Sequence, residues 1–119
     1  MQAARDTILI VEDDGDWRSL MEEALQRSGV RAKIEMEATE EAALAIIKER
    51  ADQLLAVIAD LSLVGAVGNE GDRIAQAALD TGVPKVATIT GSTRTSKIVP
   101  TFSKREDADE KIARLLNAA

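Results

Sequence analysis

A chain of 119 residues with 45% apolar but only 2% aromatic side chains must build its core from Ile, Leu, Val and Ala. That suits alternating strands and helices in one domain, residues 1–119. With no cysteine and no histidine, a disulfide scaffold, thiolate or imidazole zinc sites and a Ser-His-Asp mechanism are excluded. A net charge of −6 argues against nucleic acid as the main partner. No apolar run reaches signal-peptide or membrane-spanning length, so a cytoplasmic protein with no membrane partner is expected.

The first element is Thr7-Ile8-Leu9-Ile10-Val11, an apolar and mostly β-branched run that reads as a strand buried on both faces. It runs into Glu12-Asp13-Asp14-Gly15-Asp16. Open α/β sheets place their ligands at the carboxyl ends of strands. Adjacent carboxylates there repel one another and call for a divalent cation, unless Asp14 or Asp16 simply caps the next helix. Residues 1–60 hold fourteen acids against seven bases, and residues 61–119 hold seven against eight. The negative field therefore lies in the half with the acidic cluster, which favours cation over anion binding there.

Trp17, Leu20, Met21, Ala24, Leu25 and Ser28 recur at helical spacing, with Gly29 as a left-handed cap. Val30, Ala32, Ile34 and Met36 alternate with charged residues, as in a half-exposed edge strand. Thr39 is a suitable N-cap for a second helix carrying Ala42, Ala43, Ile46 and Ile47 and ending near Arg50. Leu54 to Ala59 is a second wholly apolar strand, and it ends on Asp60. Gly65, Gly68 and Gly71 match no phosphate-cradling pattern and read as a flexible connector. A third helix follows over Ile74–Leu79, stopped by Gly82 and Pro84. Val86 to Thr90 is a further strand.

Between Thr90 and Lys104 a final strand within Ile98–Phe102 leaves too few residues for a helix of normal length. Gly91 to Ser96 lacks apolar periodicity, so the segment reads as a loop with at most one helical turn. Pro100 makes the last strand an edge. Glu106, Asp107 and Asp109 then open a helix with Ile112, Leu115 and Leu116 on its buried face. The basic residues Arg94, Lys97, Lys104 and Arg105 balance an acidic protein.

The order βαβαβαβ predicts a parallel sheet with right-handed crossovers. In the flavodoxin-like order 2-1-3-4-5 the two apolar strands are neighbours. Glu12, Asp13 and Asp60 then share one crevice.

Ile8-Leu9-Ile10-Val11-Glu12-Asp13-Asp14, Val57-Ile58-Ala59-Asp60, Ala87-Thr88-Ile89-Thr90-Gly91 and Ser103-Lys104 stand in the right order, each at a predicted strand end. On these residues the chain resembles the receiver domain of two-component response regulators over essentially its whole length. The resemblance implies a three-layer α/β sandwich with a five-stranded parallel sheet and a short or absent fourth helix. It implies a single-domain response regulator, a phospho-acceptor and not an enzyme with its own substrate. Asp60 would take the phosphoryl group from a sensor histidine kinase or phosphotransfer protein and signal to, or drain it toward, a downstream protein. Mg²⁺ would be held by Glu12, Asp13, Asp60 and the backbone carbonyl of Ser62. Thr90 would hydrogen-bond a phosphoryl oxygen and Lys104 would pair with its charge. The residue types fit, because Mg²⁺ takes oxygen ligands and a carboxylate nucleophile needs no general base.

The chain departs from the family's pattern in four places. The fourth-helix region is a stub, Arg105 follows Lys104 where the family has proline, and Thr101 stands near the place of the switch aromatic with Phe102 offset. The loop after Asp60 is also a few residues long. The stub and Thr90-Gly91 are similar to an atypical receiver subgroup with an Ala-Thr-Gly motif. Two other readings compete. A pseudo-receiver would bind a partner without phosphorylation, and Asp60→Asn would leave it unchanged. A Mg²⁺-dependent phosphatase or toprim-like hydrolase would want a second acid just beyond Asp60, where Leu61-Ser62 offers none.

Overall fold

The computed structural model describes residues 5–61, 63, 69–91, 95–104 and 107–117. Ser62, Gly65, Gly68, Arg94, Arg105 and Glu106, which the sequence reading singles out, lie outside them.

The described elements are β1 (Thr7–Val11), α1 (Gly15–Arg27), β2 (Lys33–Glu37), α2 (Glu40–Arg50), β3 (Leu54–Asp60), α3 (Glu70–Asp80), β4 (Lys85–Thr90), β5 (Thr101–Ser103) and α4 (Ala108–Asn117). A single 3₁₀ turn, Ala51–Gln53, joins α2 to β3. The strands form one sheet in the order β2-β1-β3-β4-β5, and every pairing is parallel. This is the flavodoxin-like order that goes with the receiver resemblance, and the central place of the two apolar strands is the one expected from the sequence. Both apolar strands are interior, and the half-polar β2 and the three-residue β5 take the edges.

Side chains alternate across the sheet and bury two separate layers. Ile8, Ile10, Ala56, Ile58, Ala87 and Ile89 pack against Met21 and Leu25 of α1 and Ile112 and Leu116 of α4. Leu9, Val11, Val57, Ala59 and Val86 pack against Ala43 and Ile47 of α2 and Ile74, Ala75 and Ala78 of α3. The sandwich therefore has α1 and α4 on one face and α2 and α3 on the other.

Two helices end in the same way. Gly29, at φ +83°, donates to Gln26 O while Val30 donates to Leu25 O. Gly82, at φ +86°, donates to Leu79 O while Val83 donates to Ala78 O. Each is a Schellman end, in which glycine carries the left-handed backbone and the next valine is buried.

Several sequence expectations shift. Leu20 is 64% exposed and off the buried face of α1, because that face is set by Met21, Ala24 and Leu25. Val30 and Ala32 precede β2, since the Schellman turn uses the residues after Ser28. Gly71 is not connector but the second residue of α3. Helix α3 begins there because Gly71 packs against the end of β3, where a Cβ would sit 2.5 Å from Leu61 Cα and 2.6 Å from Asp60 O. Strand β5 starts later than expected, because Pro100 only supplies its carbonyl to Thr88 N–H and pairing begins at Thr101. Helix α4 starts at Ala108, after Asp107 turns the chain at φ +57°. Among the described residues, none between β4 and β5 is helical.

Candidate functional site

The carboxyl ends of β1 and β3 are brought level by their register, Val11 opposite Ala59, so the next residues, Glu12 and Asp60, face one another. Strand β4 continues the row, with Ile89 opposite Asp60 and Thr90 one step beyond. Thr90 O accepts the Lys104 N–H at 2.8 Å, which fixes Lys104 at the end of β5 beside it. A slip of one residue would exchange the side chains that face the two helical layers and take the carboxylates out of line.

The acidic stretch divides between two tasks. Asp14 is the N-cap of α1, its side chain accepting the Asp16 and Trp17 N–H groups at 3.0 and 3.2 Å. Asp16 only adds charge to the first turn. Glu12 and Asp13 instead join Asp60: one carboxylate oxygen from each lies within 4.8 Å of the other two. Glu12 is fully buried and accepts the Asp14 N–H through Oε1 at 3.0 Å.

Lys104 is the counter-ion. Its Nζ lies 2.5 Å from Glu12 Oε2 and 3.1 Å from Asp60 Oδ2. The Asp60 contact is a hydrogen bond, whereas the buried Glu12 Oε2 has no hydrogen bond among the described residues and is met by the ammonium as an ion pair. The same ammonium sits 4.9 Å from the centre of the Trp17 ring. Burial and the Asp60 charge push the Glu12 carboxyl up to about 7, although Lys104 and the Asp14 N–H pull the other way. For Lys104, burial works against the charge, but Glu12 and Asp60 outweigh it and hold the pKa above its usual value.

The donor set fits Mg²⁺. It is all oxygen, partly buried and already in need of positive charge, which Lys104 supplies only in part. Ser62, expected to add its carbonyl, lies outside the described residues. Thr90 is buried at the end of β4.

Two neighbours were not singled out for the site from sequence. Trp17 read only as part of the buried face of α1, yet its place three residues after the N-cap points it at the strand ends. Glu70 read as loop, but it is buried and accepts the Leu63 N–H through Oε2 at 3.3 Å, tying the chain after Asp60 to α3.

No protein-family profile matches the sequence, and no protein of curated function matches it. Solved structures do match. The receiver domain of the hybrid histidine kinase CckA is 26% identical, with 92% of this chain and 98% of that one covered and a TM-score of 0.72. A response regulator receiver protein from Sinorhizobium medicae is 17% identical, with 94% of each chain covered and a TM-score of 0.73. The phosphorylated cyanobacterial phytochrome response regulator RcpA is 19% identical, with 95% of this chain and 89% of that one covered and a TM-score of 0.68. With its strand order, its layers and these neighbours, the chain has the receiver fold of response regulators.

Proposed function

We propose that residues 1–119 act as a single cytoplasmic receiver, accepting a phosphoryl group on Asp60 from a histidine kinase or phosphotransfer protein. The observation that carries this reading is the Lys104 ammonium bridging Glu12 and Asp60 beside the three clustered carboxylates. The receiver fold of the neighbours supports it, and one of them, RcpA, is described as phosphorylated.

In this reading an Asp60 carboxylate oxygen attacks phosphorus, the phosphorus–nitrogen bond of the donor breaks, and the imidazole leaves with its electron pair and takes a proton from water. An acyl phosphate on Asp60 results. Glu12, Asp13, Asp60 and the Ser62 carbonyl would hold Mg²⁺, which when bound offsets the charge of the phosphoryl oxygens. Lys104 supplies a second positive charge, already placed and needing little reorganisation. The Thr90 hydroxyl donates to a phosphoryl oxygen and links acceptance to the β4–β5 edge, from which a downstream protein reads the state.

Intact mass after incubation with acetyl phosphate and Mg²⁺ tests the proposal. Wild type is expected to gain one phosphoryl group, and Asp60→Asn or added chelator to abolish the gain. Absence of a gain with acetyl phosphate, phosphoramidate and phosphorylated kinases would leave the pseudo-receiver reading in its place.

A further inference from the structure

We propose that Trp17 is a positioning residue for Lys104, its indole face holding the ammonium over the Asp60 carboxylate while the phosphoryl group arrives. This rests on the reading of the site as a phospho-acceptor.

The Lys104 backbone is anchored where its N–H meets Thr90 O. Beyond that it is a four-carbon stem with many rotamers, and its ammonium must be held by what surrounds it. Among the described residues three partners surround it: Glu12 Oε2 at 2.5 Å, Asp60 Oδ2 at 3.1 Å and the Trp17 ring centre at 4.9 Å. The ring distance is within the reach of a cation–π attraction, about 6 Å.

The three do not respond alike to a divalent cation. Glu12 and Asp60 are in the carboxylate cluster, and any cation bound there lowers their pull on the ammonium. The indole ring is no ligand for such a cation, so its attraction persists when theirs weakens. Lys104 then keeps a partner at the rim of the site instead of swinging into solvent.

The turn that carries the ring is firmly set. Glu12 Oε1 takes the Asp14 backbone N–H, and Asp14 Oδ1 takes the Trp17 backbone N–H. One short stretch thus carries a carboxylate of the cluster, the helix cap and the perch for the lysine. Met21 and Leu25 continue the same face of α1 into the core, which keeps the helix from rolling.

Trp17 is the chain's one tryptophan, so fluorinated tryptophans replace it alone, weakening the face of the ring with little change of shape. The first readout needs neither metal nor phosphate. In metal-free protein the Lys104 ε-methylene protons should be shifted upfield by the ring current, and Trp17→Leu should abolish the shift. The second is the rate of phosphoryl uptake from acetyl phosphate at saturating Mg²⁺. Along mono-, di- and trifluorotryptophan it should fall by roughly three- to tenfold in all, and it should stay level in a Lys104→Met background.

An absent ring-current shift, a level rate with Lys104 in place, or an equal fall in both backgrounds would each overturn the role of Trp17. A protein with ordinary tryptophan that takes up no phosphoryl group from any donor would instead overturn the acceptor reading, and this role with it.

Discussion

The ends of β1 and β3 and the edge formed by β4 and β5 meet at the same crevice but are held by different forces. At β1 and β3 the regular parallel pairing of Ile8–Val11 with Ala56–Ala59 carries wholly buried Ile, Leu, Val and Ala, and the carboxylates emerge from it without freedom to drift. At the outer edge only three residues of β5 pair with Thr88–Thr90. There, hydroxyls take the part that apolar packing plays elsewhere. Thr88 Oγ1 and Thr101 Oγ1 lie 2.8 Å apart, the Ser96 N–H donates to Thr101 Oγ1, and the Ser96 hydroxyl donates to Asp72 of α3 at 2.6 Å. Burial gives a site its accuracy, and a chain of single hydrogen bonds, each worth about 1 kcal/mol, gives an edge that can be remade at low cost.

That contrast can be tested by injuring each region. Ile58 is fully buried between Ile10 and Ala87. Ile58→Ala should cost about 3–4 kcal/mol in urea unfolding and lower amide protection throughout the sheet.

Glu12 comes next, and its effect depends on pH. Burial pushes its folded carboxyl up to about 7 from the usual 4.5, so the folded chain holds that proton more tightly than the unfolded one. The stabilisation is complete below the unfolded value and is lost as pH rises through the folded one. In chelator, wild type should therefore lose roughly 1–3 kcal/mol relative to Glu12→Gln between pH 5 and 7.5. A constant difference between the two proteins would show that Glu12 is already ionised at the lower pH.

The smallest effect belongs to the edge. Thr101→Val takes the acceptor from the Ser96 N–H and a hydroxyl partner from Thr88. It should cost about 1 kcal/mol and speed hydrogen exchange at Ser96 while leaving Ile58 and Val57 protected. Loss of protection across β3 as well would erase the distinction between the two regions.

The same contrast explains what could be read from sequence. Strands β1 and β3 were legible because burial on both faces demands an uninterrupted apolar run, and the carboxylates that follow stand out against it. Strand β5 was placed early because its partly buried Thr-Phe-Ser carries no such pattern, and its position follows from the pairing of β4 with residues after Pro100. The start of α3 was hidden because Glu70-Gly71 has loop-forming composition, and only the approach of β3 makes it helical. Within the site, Glu12, Asp13, Asp60, Thr90 and Lys104 were found as strand-end residues, and the structure gathers them at neighbouring strand ends. The division of labour between Glu12 and Asp14 was open, since a cap and a cation ligand have the same side-chain chemistry. Trp17 went unassigned because a ring on an apolar helix face gives no sign of the lysine it will meet.

Gly71 leaves no gap between the first turn of α3 and the backbone of Asp60 and Leu61. A joint without play transmits displacement instead of absorbing it. Any shift of the Asp60 backbone must lean on α3, and any partner that presses on α3 must lean on Asp60. Ser96 grips Asp72 one residue further along that helix, so the helix acts as a short lever with Asp60 at its fulcrum and the β4–β5 edge on its arm.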